Sequence, residues 1–408
     1  MSATSPTRNA IEAVWRVEAA RLIGGLVRVV GDVDRAEDLA HEALVTALER
    51  WPETGIPDNP GAWLATTAKH RALDELRRRK MQERKHQALG DEPAPGDDDD
   101  VGDDLLRLVL IACHPVLSPE ARVALTLRLV CGLGTDEIAR ATLLAEATVA
   151  QRIVRAKRTL SEARVPYEVP SGDALGERLS SVLEVVYLIF NEGWSATRGD
   201  DLMRPRLVDD ALRIGRILTG LVPRDAEVWG LLALMELSAS RARTRVDAAG
   251  DLVLLFDQDR ARWDRLLIER GLSALERSAS LCRPLGAYAL QAAISACHAR
   301  ARTPQETDWP GIVALYDALV ELTQSPVVAL NRAVAVSYAF GPAAGLELLD
   351  ELADEPALAG YPYLAAARGD VLERLGRREE ARRELLRAAA SMTNERERAL
   401  LKRRADAS

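Results

Sequence analysis

Apolar residues recur every three to four positions over most of the chain, which is the period of an amphipathic helix. The clearest stripe runs from Asp32 to Trp51, with acidic side chains on its other faces. Pro52 and the PDNPG run at 57–61 predict its end, because proline interrupts a helix. The apolar positions of this stripe are Ala36, Leu39, Ala40, Ala43, Leu44, Ala47, Leu48 and Trp51.

A second helix is predicted from about Ala62, and it leads into a strongly basic segment. Residues 69–85 contain eight lysines and arginines against three acids. Such cations neutralise phosphates, and the nearby Trp63 could hold an unstacked base of a single strand. An amphipathic helix whose arginines only face solvent explains the same pattern.

A third pattern, between residues 117 and 160, predicts a helix–turn–helix. Ser118 and Pro119 mark a helix start, since serine caps helices and proline suits the first turn. A polar and basic outer face on the last helix could enter a major groove, although a three-helix packing unit with a solvated face fits too. On that last helix Val149, Ile153, Ala156 and Leu160 are predicted to face inward, and Thr148, Gln151, Arg152, Arg155 and Arg158 to share the opposite side.

Composition divides the chain into blocks. The run DEPAPGDDDDVGDD cannot bury apolar area and repels itself, so it predicts a flexible linker that lets its neighbours reach separate sites. Pro166, Pro170 and Gly172 predict a second, shorter junction. The predicted parts are a helical domain at 1–90, the linker at 91–104, the helix–turn–helix domain at 105–165 and a helical extension at 173–408.

The extension contains one helix–turn–helix unit of the tetratricopeptide type, clearest at 362–394. Its small and apolar residues have the spacing of that repeat of about 34 residues. A looser copy is predicted from Leu330 to Leu349, with its turn at Gly341 and Pro342. The residues that carry the clearer unit are Gly369, Leu372, Gly376, Ala381, Leu385 and Ala388.

Composition favours an all-α protein. Only 4% of the 408 residues are aromatic, while alanine, leucine and arginine are abundant. No apolar run approaches the roughly 20 residues of a membrane span, and MSATSPTRNAIEAVWR lacks a signal-peptide core, so a cytoplasmic protein is expected. The net charge of −8 argues against nucleic acid, but the local basic faces argue for it.

Nothing in the sequence has the spacing of a cofactor, metal or catalytic site. The four cysteines form no CxxC pair, and glycine loops for phosphate are absent. The segment DQDRARWDR could hold a metal or act as acid and base, but its alternating charges are expected to form ion pairs between helices. We therefore predict no cofactor and no enzyme, and a regulatory or interdomain role for Asp257, Asp259, Arg260, Trp263, Asp264 and Arg265.

In this order, the segments resemble an extracytoplasmic-function sigma factor of the sigma-70 family. The resemblance covers about 150 residues. It implies a factor that binds core RNA polymerase and promoter DNA and starts transcription. The matching segments are GDVDRAEDLAHEALVTALERW (31–51), WLATTAKHRALDELRRR (63–79) and LSPEARVALTLRLVCGLGTDEIARATLLAEATVAQRIVRAKRTL (117–160).

The resemblance also implies roles for single residues. Two departures, His70 in place of a frequent Asn and ATVAQR (147–152) in place of GTVKSR, bear on the promoter sequence. The implied sets are Asp38, His41 and Glu42 for polymerase; Trp63, Lys69, His70, Arg71, Asp74, Arg77 and Arg78 for the minus-10 element; and Thr148, Gln151, Arg152, Arg155 and Arg158 for the minus-35 element.

The extension resembles that of a sigma-factor subgroup with a tetratricopeptide-like C-terminal domain. The matching stretches are YLIFNEGWSAT, LVLLFDQDRARWDR, QAAISACHA and SPVVALNRAVAV. This implies that the extension regulates the factor through a protein or ligand partner. Two alternatives stay open: a stand-alone helix–turn–helix regulator of DNA, and a helical-repeat adaptor protein.

Overall fold

The computed structural model describes residues 6–84, 101–142, 144–195, 202–247 and 250–407. In these ranges the chain forms 18 α-helices and no strand, which confirms the all-α prediction. None of these helices is both long and apolar enough to cross a membrane. The chain folds into two compact units, Met1–Leu188 and Ile189–Ser408.

The first unit holds the helices predicted from the sequence. Asp32 caps the second helix by accepting a hydrogen bond from the Arg35 amide at 2.7 Å. Pro52 lies inside that helix, which ends at Gly55, whose positive φ of 84° suits a helix end. The helix thus ends between the two predicted signals, Pro52 and the PDNPG run at 57–61. The helices are α1 (Pro6–Val30), α2 (Val33–Thr54), α3 (Pro60–Arg84), α4 (Val101–Ala112), α5 (Pro119–Leu129), α6 (Thr135–Thr142), α7 (Glu146–Glu162) and the start of α8 (Asp173–Trp194).

The acidic run ends inside the folded core. Residues 91–100 lie outside the described residues, but 101–104 form the first turn of α4. Asp104 is buried there and pairs with Arg28 at 3.2 Å and Arg107 at 2.8 Å. The predicted linker boundary at 104 is therefore wrong, because two cations compensate the burial of this carboxylate.

The predicted junction near residue 166 does not end the first unit. The Tyr167 hydroxyl lies 2.7 Å from the Gly24 carbonyl and 2.9 Å from the Asp104 carbonyl. Further along, Arg122 on α5 donates to Ser181 on α8 at 2.6 Å. Residues after the helix–turn–helix, as far as Leu188, therefore belong to the same compact unit as the predicted domain at 105–165.

In the second unit, helices that follow one another along the chain pack on each other, and the helix at Ala226–Ala239 also packs on the helix at Ala287–Arg300. Two short 3-10 helices lie in the segment between Ala239 and Arg265. Its helices after α8 are α9 (Pro205–Leu221), α10 (Ala226–Ala239), α11 (Arg265–Leu281), α12 (Ala287–Arg300), α13 (Trp309–Thr323), α14 (Pro326–Ala339), α15 (Pro342–Glu351), α16 (Pro362–Arg374), α17 (Arg378–Ser391) and α18 (Glu395–Ala407).

Both predicted helical hairpins of the extension are present. Gly376 forms the turn between α16 and α17 with a φ of 76°, and Gly341 precedes α15 with a φ of 102°. Gly369 lets the paired helices approach, because a Cβ there would lie 2.8 Å from the Leu385 side chain. Close packing at small residues thus holds each pair together.

Candidate nucleic-acid and polymerase interfaces

Helix α7 has one buried and one exposed side, as its sequence predicts. Hydrophobic contacts fix the orientation of the helix on α5 and α6, so its polar face points away from them. The inward residues Val149, Ile153, Ala156 and Leu160 are all buried. Of the predicted minus-35 set, Thr148, Gln151, Arg155 and Arg158 are exposed and Arg152 is half-buried.

One cation of this set has a partner on its own helix. Arg158 donates to the Glu162 carboxylate at 2.6 Å, and this hydrogen bond raises the pKa of the guanidinium. Arg155, one turn earlier, is exposed. Arg155 is therefore better placed than Arg158 to meet an outside anion.

On α3 the predicted minus-10 residues divide into two groups. Arg71 turns towards α2, where it donates to Glu42 at 2.9 Å and to Thr46 at 2.7 Å. Trp63 packs edge-on against the buried Trp51, with ring centres 5.3 Å apart. The remaining members are exposed: Lys69, His70, Asp74, Arg77 and Arg78.

The predicted polymerase-binding residues share one side of α2 but differ in exposure. The Asp38 side chain is 63% exposed and lies 3.6 Å from Arg35. Glu42 lies between Arg71 and Arg35. His41 is half-buried, with its ring 5.1 Å from that of Trp15. Asp38 is thus the most accessible of the three.

A charged cluster joins α2 to α5 and α7. Glu37 is its centre, with Arg128 at 2.5 Å and Lys157 at 2.6 Å from its carboxylate oxygens. Lys157 also donates to Asp34 at 2.5 Å, and Arg128 lies 3.3 Å from the outer nitrogen of His41. We call these five residues the Glu37 cluster.

The charges of this cluster stabilise each other. Burial raises the pKa of Glu37, but Arg128 and Lys157 outweigh it and hold that pKa below its ordinary value. Burial lowers the pKa of Lys157, yet Glu37 and Asp34 leave it raised. Burial and Arg128 lower the pKa of His41, so its imidazole is neutral at pH 7.

Sequence patterns alone did not single out the members that hold this cluster together. Glu37 was one of several acids on α2, and Lys157 one of several cations on α7. Lys157 follows the inward Ala156 directly, so its place at the edge of the apolar stripe is a signal that it lies near a packed surface. Arg128, at the end of α5, carried no such signal.

Family comparisons match both halves of the first unit. Residues 16–81 match Sigma-70 region 2, and residues 107–160 match Sigma-70, region 4. The ECF RNA polymerase sigma factor SigL of Mycobacterium tuberculosis is 31% identical over 154 residues, which cover 37% of this chain and 86% of SigL. The chain belongs to the extracytoplasmic-function sigma factors.

Two further relatives differ in how much they share with this sigma factor. An uncharacterized protein of Rhizobium meliloti is 42% identical over 397 residues, covering 94% of this chain and 92% of that protein. The probable ECF RNA polymerase sigma factor SigI of Mycobacterium tuberculosis is 31% identical over 167 residues, 39% of this chain and 57% of SigI. Residues 178–279 match a family of unknown function, DUF6596.

Membership in this family decides between the functions left open by the sequence. A sigma factor directs transcription initiation, and the family implies that it binds core RNA polymerase and promoter DNA. The stand-alone regulator and the adaptor are set aside. Region 2 corresponds to α1–α3 and region 4 to α4–α7, so the Glu37 cluster joins the two regions of this sigma factor.

In the extension, the DQDRARWDR segment of this sigma factor serves mainly to shape a loop. Asp259 accepts from the Ala261 amide at 3.0 Å and Asp264 from the Leu267 amide at 3.1 Å. The expected ion pairs between helices are absent among the described residues, because the acids cap free backbone amides instead. Asp257 and Arg265 are exposed.

Arg260 and Trp263 of the same segment are buried. Arg260 donates to the carbonyls of His298 and Ala301, at 2.9 and 3.0 Å, and to the Thr307 hydroxyl at 3.1 Å. These bonds tie the loop to the end of α12. Within the described ranges no group of three or more metal-ligating side chains occurs.

Proposed function

We propose that this sigma factor reads two promoter elements through two separate helix faces. The exposed cationic face of α3 would hold the minus-10 element, and the outer face of α7 would read the minus-35 element. Asp38, His41 and Glu42 on α2 would bind core polymerase. The factor would work in the cytoplasm, together with that polymerase.

The observation that carries the proposal is the division of α7. Its inward stripe of Val149, Ile153, Ala156 and Leu160 is buried. Gln151 and Arg155, on the outer face, are exposed and can reach base edges while the helix stays packed. Glutamine pairs with adenine and arginine with guanine in the major groove. On α3 the exposed Lys69, Arg77 and Arg78 supply charges for phosphates.

In vitro transcription with core polymerase tests this proposal. The full chain should start transcripts at a promoter that carries both elements. Arg155→Ala should reduce them about ten-fold and lower the salt dependence of promoter binding by about one ion. Arg140→Ala is the matched control, since Arg140 is exposed on α6 and pairs with Asp136. Equal losses in both variants would overturn the assignment of α7.

We further propose that the extension regulates the factor, through a ligand or protein partner and without catalysis. Support comes from the DQDRARWDR segment, whose acids cap backbone turns. A chain ending at Ser195 keeps the α8 contacts of Ser181 and Glu184 with α5. If it folds by circular dichroism and yields the same transcripts as the full chain, the regulatory role is wrong.

A further inference from the structure

Three arginines surround two tryptophans in the second unit. Arg241 and Arg245 follow the end of α10, and the guanidinium carbon of Arg241 lies 5.3 Å from the centre of the Trp194 ring and 5.9 Å from that of Trp263. Arg245 lies 4.4 Å from Trp194, and Arg260 lies 5.2 Å from Trp263. Each cation thus faces an indole, which is a favourable but weak interaction.

The cations of this group repel each other. Burial, Arg245 and Arg260 together lower the pKa of Arg241 to about 10. Among the described residues, neither Arg241 nor Arg245 forms an ion pair with a carboxylate. The acid that faces Arg245 is Glu397, which accepts a hydrogen bond from the Tyr363 hydroxyl at 2.9 Å.

Elsewhere in this unit half-buried arginines have acidic partners. Arg404 pairs with Asp370 and Glu373, and Arg396 pairs with Asp251. Charges that leave water normally need such partners, because desolvation penalises an uncompensated charge. Two neighbouring arginines without a carboxylate therefore depart from the pattern of the unit.

Polar nitrogens without a protein acceptor lie in the same group. They are buried, and natural proteins satisfy nearly all such donors. Arg260 uses its terminal nitrogens on backbone carbonyls but leaves Nε without a partner. The nitrogens concerned are Arg245 Nε, Arg260 Nε, Trp263 Nε1 and His298 Nδ1.

We propose that Arg241 and Arg245, between Trp194 and Trp263, bind the oxyanion of a small molecule, a carboxylate or a phosphate. A planar guanidinium offers paired donors that match both groups. This names a ligand class for the extension and rests on its proposed regulatory role.

The oxyanion neutralises the repulsion between the cations, and this gives the site a distinctive signature. Arg241→Met removes one buried charge and keeps most of the side-chain volume. The variant should unfold at the same or a higher temperature than the wild type in chloride. It should also lose the response to oxyanions, whereas an arginine with a purely structural role would lower the unfolding temperature when replaced.

Thermal unfolding of the full chain tests the site, with sodium phosphate, sodium acetate and sodium chloride compared at equal ionic strength. Phosphate or acetate should raise the unfolding temperature above the value in chloride, and whichever acts more strongly identifies the group. In Arg241→Met and in Arg245→Met, the dissociation constant of the stabilising oxyanion should rise about ten-fold or more.

Arg403→Met is the matched control, because Arg403 is an exposed arginine of the same unit that pairs with Asp251. It should keep the oxyanion response. Equal effects of the three salts on the wild type, or an unchanged response in Arg241→Met, would overturn the site. Polymerase is not used, so a negative result here leaves the transcription test of the regulatory role unaffected.

Discussion

Lys157 on α7 and Glu37 on α2 form an ion pair at 2.6 Å, although 120 positions separate them along the chain. Both side chains are largely buried, at 15% and 4% exposed. The helix proposed to read the minus-35 element is therefore attached to the helix proposed to bind polymerase. This attachment of α7 to α2 has consequences that can be measured.

Removing the charge of Glu37 should destabilise the first unit. Glu37→Gln leaves Arg128 and Lys157 without their shared carboxylate, and loss of one partner from a buried pair costs about 3 kcal/mol or more of the free energy of unfolding. Urea unfolding followed by circular dichroism measures this loss. The control is Glu162→Gln, whose exposed pair with Arg158 should contribute little to stability because solvent screens it. Equal losses in both variants would show that the cluster does not stabilise the unit.

Breaking the contact at Arg128 should strengthen binding to core polymerase. Arg128 lies 3.3 Å from His41, so a partner that binds His41 must displace it. Arg128→Met should then lower the dissociation constant for core polymerase, by about ten-fold if the contact is worth 1.4 kcal/mol. Fluorescence anisotropy of the labelled factor measures the constant, with Arg140→Met as control. Unchanged or weaker binding would mean that region 4 does not cover this residue.

Acid should destabilise the second unit through His298. Burial, Arg241 and Arg260 lower the pKa of His298 to about 4. The unfolded chain, with an ordinary pKa of about 6.5, binds the proton more readily, so stability is fully present above that value and is lost as the pH falls from 6.5 towards 4. Urea unfolding at pH 7 and pH 5 measures the change.

Two variants attribute that change. His298→Phe should reduce the loss between pH 7 and pH 5, because no buried imidazole then needs to take up a proton. His70→Gln should leave it as it is, since His70 is exposed on α3. The same loss in His298→Phe as in the wild type would refute the attribution.

A methyl group at Gly369 should push α16 and α17 apart. The Cβ of an alanine would lie 2.8 Å from Leu385, so Gly369→Ala should lower the free energy of unfolding by about 1–3 kcal/mol. Gly220→Ala has open space around it in α9 and should raise stability by up to about 1 kcal/mol. Differential scanning calorimetry compares the two. Similar effects in both would disprove the close packing.

Local features of this fold follow from local sequence. Ser118 caps α5, the apolar stripe of α7 is buried, and Gly376 forms the turn between α16 and α17. The sequence predicts these three features because each of them depends on residues only a few positions apart. The Glu37 cluster has no such local origin. Its partners come from helices far apart in sequence, and no spacing reveals which acid meets which cation.

The sequence also does not predict which single polar residues are buried. Asp104 ends an acidic run and has the composition of a linker, yet it lies in the core because Arg28 and Arg107 happen to reach it. Arg71 belongs to a basic segment, but its guanidinium pairs with Glu42. Composition gives the number of charged residues in a segment, but not which of them form ion pairs with residues elsewhere in the chain.

The Tyr167 hydroxyl, within reach of carbonyls on α1 and α4, sets a limit on the length of the chain around it. The stretch from the end of α7 at Glu162 to Tyr167 must span a fixed distance, and so must the stretch from Tyr167 to the start of α8 at Asp173. An insertion of a few residues before Tyr167 can loop out, whereas a deletion would pull the phenol from its acceptors. Variation in length between related chains should therefore show more insertions than deletions here.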